Sequence, residues 1–486
     1  MRFSYKCILY FFIPLFIFHI AKGSSKAFDI ISYLDSAFSD HVSFSFIVRD
    51  AETGTILFEK NAAVSLVPAS TLKIVTSVVA LKYLGEGKRF TTDLAVEGEV
   101  KNGVLNGNII IIGSGDPSLG MDIPKMGLSR KKILDTWVDS IKKEGIEKIE
   151  GNIIGDASSL DSFSLSPYAL WEDIGNYYGA VTSGLAFCGN EYKLILRSDN
   201  NLGDSVDICG TDPQFTGIKN FENHLIAGSA DSGDHAYIFG SPLAERRVLK
   251  GTIPLGKNRY EIRGSLPDPA YTCAALLKQA LCTEHISVSG EAFGSWRGNK
   301  GQGINSHSNK KVRIIYRYLS PSLGELIQYM NNTSNNVFAE QLLKILGREK
   351  GKNGSMEGGL EVINTFLKDE KISIEGVSFK DGSGLSRYNS CTTRFITDVL
   401  INTYKKEYFN AFKESLQLGI KGTELSEHLF VKTGSMERVF ALSGYLKTKE
   451  NKYLAFSFMV NNTLISPHEI GAIYEKIVLN LLKLSY

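Results

Sequence analysis

Two kinds of sequence alternate along the chain, and their order limits the possible fold more than any other feature. Both ends combine helical and strand-like runs, whereas residues 91–312 consist mainly of short apolar runs separated by Gly and Asn. Such runs predict β-strands joined by turns. The 486 residues are enough for two or three domains. We therefore predict one α/β domain built from residues 24–90 and 313–486, with a large strand-rich insert at residues 91–312.

The spacing of apolar residues places elements within this outline. One helix, at about residues 131–144, interrupts the strands of the insert, and the polar stretch at 297–312 predicts a loop or linker. In the two end segments the pattern predicts helices at about 28–38, 68–84, 320–330, 337–347 and 469–482, and strands at 43–49, 55–59, 430–433, 439–447 and 453–461. The strands are expected to pair in antiparallel fashion, and the last helix to pack on their sheet rather than on a membrane.

The first 23 residues predict a signal peptide. Arg2 and Lys6 precede an apolar run of about 14 residues, which is short for a membrane span, and small residues follow at positions 21 and 23. Cleavage is expected before Ser24, which would export the remainder to the periplasm or cell envelope. An uncleaved N-terminal anchor is the alternative.

Charge and cysteine content exclude several classes of protein. The net charge of +2 argues against nucleic-acid binding. Five cysteines remain after the first segment, an odd number, and Cys188 with Cys209 or Cys273 with Cys282 are conceivable disulfides. The eight His residues are scattered and the chain has no Cys-x-x-Cys pair, so no metal site or cofactor is expected.

The first candidate for chemistry is Ser70-x-x-Lys73 at the start of an apolar helix. This spacing puts both side chains on one helical face, where a neutral amine could take the serine proton. The same pattern occurs at Ser140-x-x-Lys143 and Ser308-x-x-Lys311. Taken alone, Ser70 could equally be a helix cap beside an exposed lysine.

Two further motifs follow in order. Ser334-x-Asn336 lies in a break between two helices, where a hydroxyl and an amide can point the same way, although both residue types also cap helices. Ser198-Asp199-Asn200 is a competing match within the insert. Lys432-Thr433-Gly434 lies on a strand, where the cation and hydroxyl could bind a carboxylate. Its alternative is an edge strand that carries Lys to prevent aggregation.

The three motifs together are the set found in β-lactamases and penicillin-binding proteins. The chain resembles the D-alanyl-D-alanine carboxypeptidase/endopeptidase family of low-molecular-mass class C penicillin-binding proteins. Further similar stretches are Gly113-Ser114-Gly115-Asp116-Pro117, Asn176-Tyr177-Tyr178-Gly179-Ala180, Asp381-Gly382-Ser383-Gly384 and Ala441-Leu442-Ser443-Gly444-Tyr445. The resemblance implies a penicillin-binding, β-lactamase-like transpeptidase domain, an antiparallel sheet flanked by helices. It also implies that the long gap between Ser70 and Ser334 holds two extra domains.

The resemblance also implies roles for the motif residues. Ser70 would attack the D-Ala-D-Ala carbonyl of peptidoglycan stem peptides and form an acyl-enzyme, with Lys73 as its general base. Ser334, helped by Lys432, would pass protons to the leaving amine.

The remaining motif residues would hold the substrate. Asn336 would bind the substrate amide, and Lys432, Thr433 and Ser435 its terminal carboxylate. The N–H groups of Ser70 and Ser435 would form an oxyanion hole. Asp381 and Arg387 are expected to form a tight turn and not to take part in catalysis.

Three alternatives remain at this point. A class A β-lactamase is disfavoured because the chain lacks a Glu-x-x-Leu-Asn pattern for deacylation, so β-lactams should inhibit it covalently. An esterase fits the carboxylate-binding residues less well. A non-catalytic peptidoglycan-binding or β-lactam-sensing protein is the alternative from another class.

Overall fold

A computed structural model describes residues 29–38, 41–124, 126–295, 312–351, 353–419 and 425–483. The predicted signal peptide and most of the predicted linker lie outside these ranges. The helices are α1 (Ile30–Ala37), α2 (Lys73–Leu84), α3 (Arg130–Lys143), α4 (Trp171–Ile174), α5 (Pro269–Thr283), α6 (Leu323–Thr333), α7 (Asn336–Lys350), α8 (Met356–Asp369), α9 (Thr393–Tyr404), α10 (Phe409–Ser415) and α11 (Pro467–Leu482).

The strands follow the same chain order. They are β1 (Ser43–Asp50), β2 (Ile56–Lys60), β3 (Thr91–Lys101), β4 (Val104–Gly113), β5 (Lys148–Ile149), β6 (Ile153–Asp156), β7 (Glu191–Ser198), β8 (Val206–Asp212), β9 (Asn220–Gly228), β10 (Tyr237–Phe239), β11 (Arg246–Pro254), β12 (Tyr260–Ser265), β13 (Ser287–Val288), β14 (Ala292–Gly294), β15 (Val312–Leu319), β16 (Gln417–Leu418), β17 (Leu429–Met436), β18 (Val439–Lys447) and β19 (Tyr453–Asn461).

The chain forms two compact units. Among the described residues, the first contains those between 29 and 86, 327–335 and those from 363 onwards, and the second contains those between 87 and 326 and between 336 and 362. The predicted domain division, with its borders at residues 90 and 313, stays a prediction.

The first unit is organised around a six-stranded antiparallel sheet in the order β16-β17-β18-β19-β1-β2. The predicted hairpin and the three neighbouring strands near the C-terminus are confirmed. On one face, α1 and α11 bury Leu34, Ile477 and Leu481 against sheet residues such as Phe456. The apolar face of α11 therefore packs on the sheet, as predicted. On α9, the carbonyl of Leu400 accepts a hydrogen bond from the Tyr445 hydroxyl of β18 (2.7 Å).

Two apolar cores lie among the described residues of the second unit. One lies between a seven-stranded sheet, which contains β3–β6 and β13–β15, and helices α3 and α5. The other lies between two three-stranded sheets, β10-β11-β9 and β12-β7-β8. No helix in the described ranges is long and apolar enough to cross a membrane.

Two expectations for the second unit are wrong. Helix α5 is a second long helix in the insert. Its signal is Asp268 followed by Pro269, because the Asp268 carboxylate accepts a hydrogen bond from Tyr271 N (3.0 Å) and Pro is favoured in the first turn. The suggested disulfides are absent, since Cys188, Cys209, Cys273 and Cys282 are free thiols.

Candidate active site

Ser70 lies on a short 3₁₀ turn, Ala69–Leu72, directly before α2. Ala69 has a φ of 47°, a left-handed conformation that is unusual for a residue with a side chain. Backbone strain of this kind clusters at functional sites. The α-helix itself begins at Lys73, three residues after the predicted nucleophile.

Lys73 is completely buried, and its Nζ lies 3.0 Å from Ser70 Oγ within hydrogen-bond distance. Lys73 Nζ also donates to the carbonyl of Ser383 (2.7 Å). An exposed lysine beside a helix-capping serine is therefore ruled out. The fold instead joins hydroxyl and amine in the arrangement that an activated nucleophile requires.

The other two matches to the Ser-x-x-Lys pattern differ from this one. On α3, the hydroxyl of Ser140 donates to the carbonyl of Thr136 (2.8 Å), an ordinary bond within a helix. Ser308 and Lys311 lie outside the described residues. The competing Ser198 lies at the end of β7, where its hydroxyl donates to Pro254 O (2.7 Å).

Ser334 follows α6, and its φ of 55° also places it in the left-handed region. This conformation turns the chain sharply between α6 and α7. The Lys432 ammonium donates to Ser334 Oγ (3.1 Å) and to the carbonyl of Thr433 (2.8 Å). Two of the three motifs are thus in direct contact within the first unit.

Asn336, two residues later, is the first residue of α7 and belongs to the second unit. Its side-chain amide donates to the carbonyl of Tyr178 (2.8 Å), in a stretch that also carried the family resemblance. This bond fixes the orientation of the amide. The predicted role of Asn336 in binding substrate stays a prediction.

Lys432 is completely buried on β17, so it is not a solubilising charge on an edge strand. Burial, and secondarily the positive charge of Lys73, hold the pKa of Lys432 well below its ordinary value. A lysine of this kind gives up its proton more readily than an exposed one does. It can therefore take part in proton transfer as well as in anion binding.

Gly434 shows why the third motif ends in glycine. A Cβ at this position would lie 2.8 Å from Ser70 N and 3.1 Å from Ala69 Cβ. The strand thus closely approaches the backbone of the serine turn. The next residue, Ser435, is exposed on the same strand.

The profile of the D-Ala-D-Ala carboxypeptidase 3 (S13) family matches residues 33–482. The chain belongs to this family. It is 25% identical to a D-alanyl-D-alanine carboxypeptidase of Actinomadura sp. (strain R39), over 93% of this chain and 84% of the relative. It is 24% identical to the D-alanyl-D-alanine carboxypeptidase DacB of Haemophilus influenzae, over 89% of this chain and 88% of the relative.

The fold is similar to the crystal structure of penicillin binding protein 4 (dacB) from Haemophilus influenzae. The TM-score is 0.76 at 21% identity, and the match covers 93% of this chain and 99% of the other. The predicted penicillin-binding fold is confirmed. As a member of the S13 family, the chain is a serine-type D-Ala-D-Ala carboxypeptidase.

Sequence reasoning missed one residue beside the third motif of this S13 chain. Gln417 lies on β16, and its amide donates to the carbonyl of Asn332 on α6 (2.7 Å). Its carbonyl oxygen accepts a hydrogen bond from the Thr433 hydroxyl (3.4 Å). Gln417 therefore links the third motif to the helix that leads into Ser334. A lone glutamine carries no motif, so the sequence held no signal for this contact.

The turn at Asp381 is confirmed. The carboxylate is buried and accepts hydrogen bonds from the N–H groups of Gly384 (2.8 Å) and Ser386 (2.6 Å). Arg387 at its end donates to the carbonyl of Glu437 (3.2 Å).

Proposed function

We propose that Ser70 is the nucleophile that cleaves the terminal D-Ala-D-Ala bond of peptidoglycan stem peptides. The single observation that carries this proposal is the buried Lys73 amine, 3.0 Å from Ser70 Oγ. As a neutral base, Lys73 takes the hydroxyl proton while Oγ forms a bond to the substrate carbonyl carbon. The C–N bond then breaks, and the acyl group stays on Ser70.

Ser334 and Lys432 complete the proton path. The leaving D-Ala amine needs a proton, and Ser334 Oγ, hydrogen-bonded to Lys432 Nζ (3.1 Å), is suited to supply it. The low proton affinity of buried Lys432 supports this role, because a lysine with a lowered pKa gives up its proton more readily than an exposed lysine does. Water then hydrolyses the ester on Ser70 and releases the shortened peptide.

The strand β17 is proposed to bind the substrate end. Lys432 and Thr433 hold the terminal carboxylate together with Ser435, and Asn336 binds the peptide amide. The N–H groups of Ser70 and Ser435 stabilise the oxyanion. The close approach of Gly434 to Ser70 N supports this placement, because it brings strand and turn backbones together. An endopeptidase action would use the same residues on a cross-linked amine.

β-Lactams are proposed to acylate Ser70 and to remain bound. The chain lacks the glutamate pattern that class A β-lactamases use for deacylation. One solved structure of the Haemophilus protein contains a β-lactam.

We further propose export to the periplasm or cell envelope, from the signal-like segment at residues 1–23. Residues 24–90 and 313–486 would form the peptidase domain.

The decisive experiment measures D-Ala release from diacetylated Lys-D-Ala-D-Ala. The wild-type chain is expected to release D-Ala, and Ser70→Ala to be slower by about 10³-fold or more. Ser140→Ala, which removes the serine of another Ser-x-x-Lys match, is the control and should keep full activity.

Other outcomes would contradict the proposal. Activity retained in Ser70→Ala would exclude it as nucleophile. A folded wild-type chain that binds penicillin but releases no D-Ala would be a sensor. Rapid turnover of penicillin would indicate a β-lactamase.

A further inference from the structure

A buried carboxylate lies behind the proposed base. Asp381 is 3% exposed, and its two oxygens accept three hydrogen bonds, from the N–H groups of Gly384 (2.8 Å) and Ser386 (2.6 Å) and from the Asn389 amide (2.8 Å). Hydrogen bonds donated by three N–H groups favour the ionised form of a carboxyl group. The turn from residue 381 to 389 is thus built around a buried carboxyl group.

This turn contacts α2 at two points and the 3₁₀ turn before α2 at a third. The Ser383 carbonyl accepts from Lys73 Nζ (2.7 Å), and the Gly382 carbonyl accepts from the Thr76 hydroxyl (2.6 Å). Gly384, with a φ of 82°, lies so close to Ala69 that a Cβ would be 2.0 Å from the Ala69 carbonyl oxygen. The turn therefore packs against the segment that carries Ser70 and Lys73.

The contact at Ser383 bears on the direction of the lone pair of Lys73. A neutral amine has two N–H groups and one lone pair. When one N–H is held by the fixed Ser383 carbonyl, rotation of the amine is restricted, and the lone pair can be kept towards the Ser70 hydroxyl. A displaced carbonyl would leave the amine free to rotate away from the nucleophile.

We propose that Asp381 is a positioning residue for the acylation of Ser70: it holds the Ser383 carbonyl that orients Lys73 and places a negative charge behind that amine. This inference rests on the proposed role of Lys73 as base. It assigns a function to a turn that sequence reasoning regarded as structural only.

The charges around Lys73 support the second part of the proposal. Burial raises the pKa of Asp381, and its hydrogen bonds and the charge of Lys73 oppose that rise. Two charged groups of the first unit interact electrostatically with Lys73, Asp381 from the turn and Lys432 from β17. A negative charge on Asp381 favours the protonated form of Lys73, and a positive charge on Lys432 disfavours it. Removal of either charge therefore shifts the equilibrium between protonated and neutral Lys73.

The test measures the second-order rate of acylation by a fluorescent penicillin between pH 5 and pH 10 in Asp381→Asn. The rate at the plateau is expected to fall about 10- to 100-fold, since hydrogen bonds to a buried charge are lost. The acid limb is expected to move to lower pH, because without the negative charge Lys73 stays neutral in more acidic solution.

Asp50→Asn is the matched control. Asp50 also accepts backbone hydrogen bonds, from Glu52 N (3.0 Å) and Thr53 N (2.7 Å), but in the β1–β2 turn. It should lower the melting temperature and leave rate and pH profile unchanged. An acid limb at the wild-type pH in folded Asp381→Asn would overturn the proposal, as would a wild-type rate.

A second variant decides the matter if Asp381→Asn does not fold. Asp381→Glu keeps the charge but displaces the turn, so its rate should fall while its acid limb stays near that of wild type. A wild-type rate in Asp381→Glu would overturn the proposal. Labelling of Ser70→Ala distinguishes a failure of the proposed function from a failure of the inference on Asp381. A labelled Ser70→Ala contradicts the proposed function, whereas an unlabelled one leaves only the role of Asp381 in question.

Discussion

Lys432 in the first unit and Lys344 in the second are both completely buried, yet their surroundings differ in kind. Lys344 on α7 forms an ion pair with Asp161 and donates to the carbonyl of Phe163 (2.9 Å). Lys432 has the Ser334 hydroxyl and the Thr433 carbonyl as partners, and the charge of Lys73 nearby. Burial lowers the pKa of both lysines, but only at Lys344 does a carboxylate oppose the shift.

The difference separates a structural charge from a functional one. A buried ion pair is compensated, and breaking it destabilises the fold. A buried lysine beside another lysine is destabilising by itself, and such arrangements persist where activity requires them. We therefore expect Lys344 to contribute to stability and Lys432 to contribute to activity.

Substitution of the two lysines by methionine tests this expectation and gives the largest expected effect. Lys432→Met should reduce penicillin acylation by about 10²- to 10³-fold, since a donor at the site of charge development is lost. Its free energy of unfolding should equal or exceed that of wild type at pH 7 by up to about 1 kcal/mol. Denaturant unfolding and labelling rates measure both quantities.

The pH dependence has a definite sign. Because the pKa of Lys432 is lowered in the folded state, the unfolded chain binds more protons below the ordinary lysine value. The stability of wild type relative to Lys432→Met should therefore rise as pH increases towards about 10.

Lys344→Met is the matched control at the other buried lysine. It leaves the partly exposed Asp161 without its cation and should cost about 3 kcal/mol of stability. The acylation rate per folded molecule should stay as in wild type. Equal losses of activity in the two variants would contradict the expectation that Lys432 contributes to activity and Lys344 only to stability.

A smaller effect is expected at Gly434. In Gly434→Ala the new Cβ would meet Ser70 N at 2.8 Å, so strand or serine turn must shift. Acylation should slow by about 10- to 100-fold, because small displacements of a nucleophile reduce its rate strongly. Gly87→Ala, where a Cβ meets nothing within 4 Å, should leave the rate unchanged. A wild-type rate in Gly434→Ala would show that the close approach is unimportant.

Much of the first unit could be predicted from the sequence, because its elements are long and strongly periodic. The strands β18 and β19 and the helix α11 match their predicted ranges within two residues. Helix α5 was missed because its Ala- and Leu-rich sequence lies in a region dominated by strand-like runs.

The candidate site likewise contains residues that the sequence motifs predict and residues that only the fold reveals. Ser70, Lys73, Ser334 and Lys432 could be found because their chemistry requires particular residue types in a particular order. Gln417 contacts Thr433, and the turn around Asp381 contacts Lys73 of α2 through the Ser383 carbonyl, so in both cases the partner lies elsewhere in the sequence. Such contacts are set by the fold, and no local pattern reports them.

The most direct test of the account is the location of the penicillin adduct. The wild-type chain is incubated with a fluorescent penicillin, and the modified residue is identified by intact mass and peptide mapping. We predict one stable adduct per chain, on Ser70, and none in Ser70→Ala. An adduct on another serine, or a labelled Ser70→Ala, would contradict the assignment of Ser70 as the nucleophile.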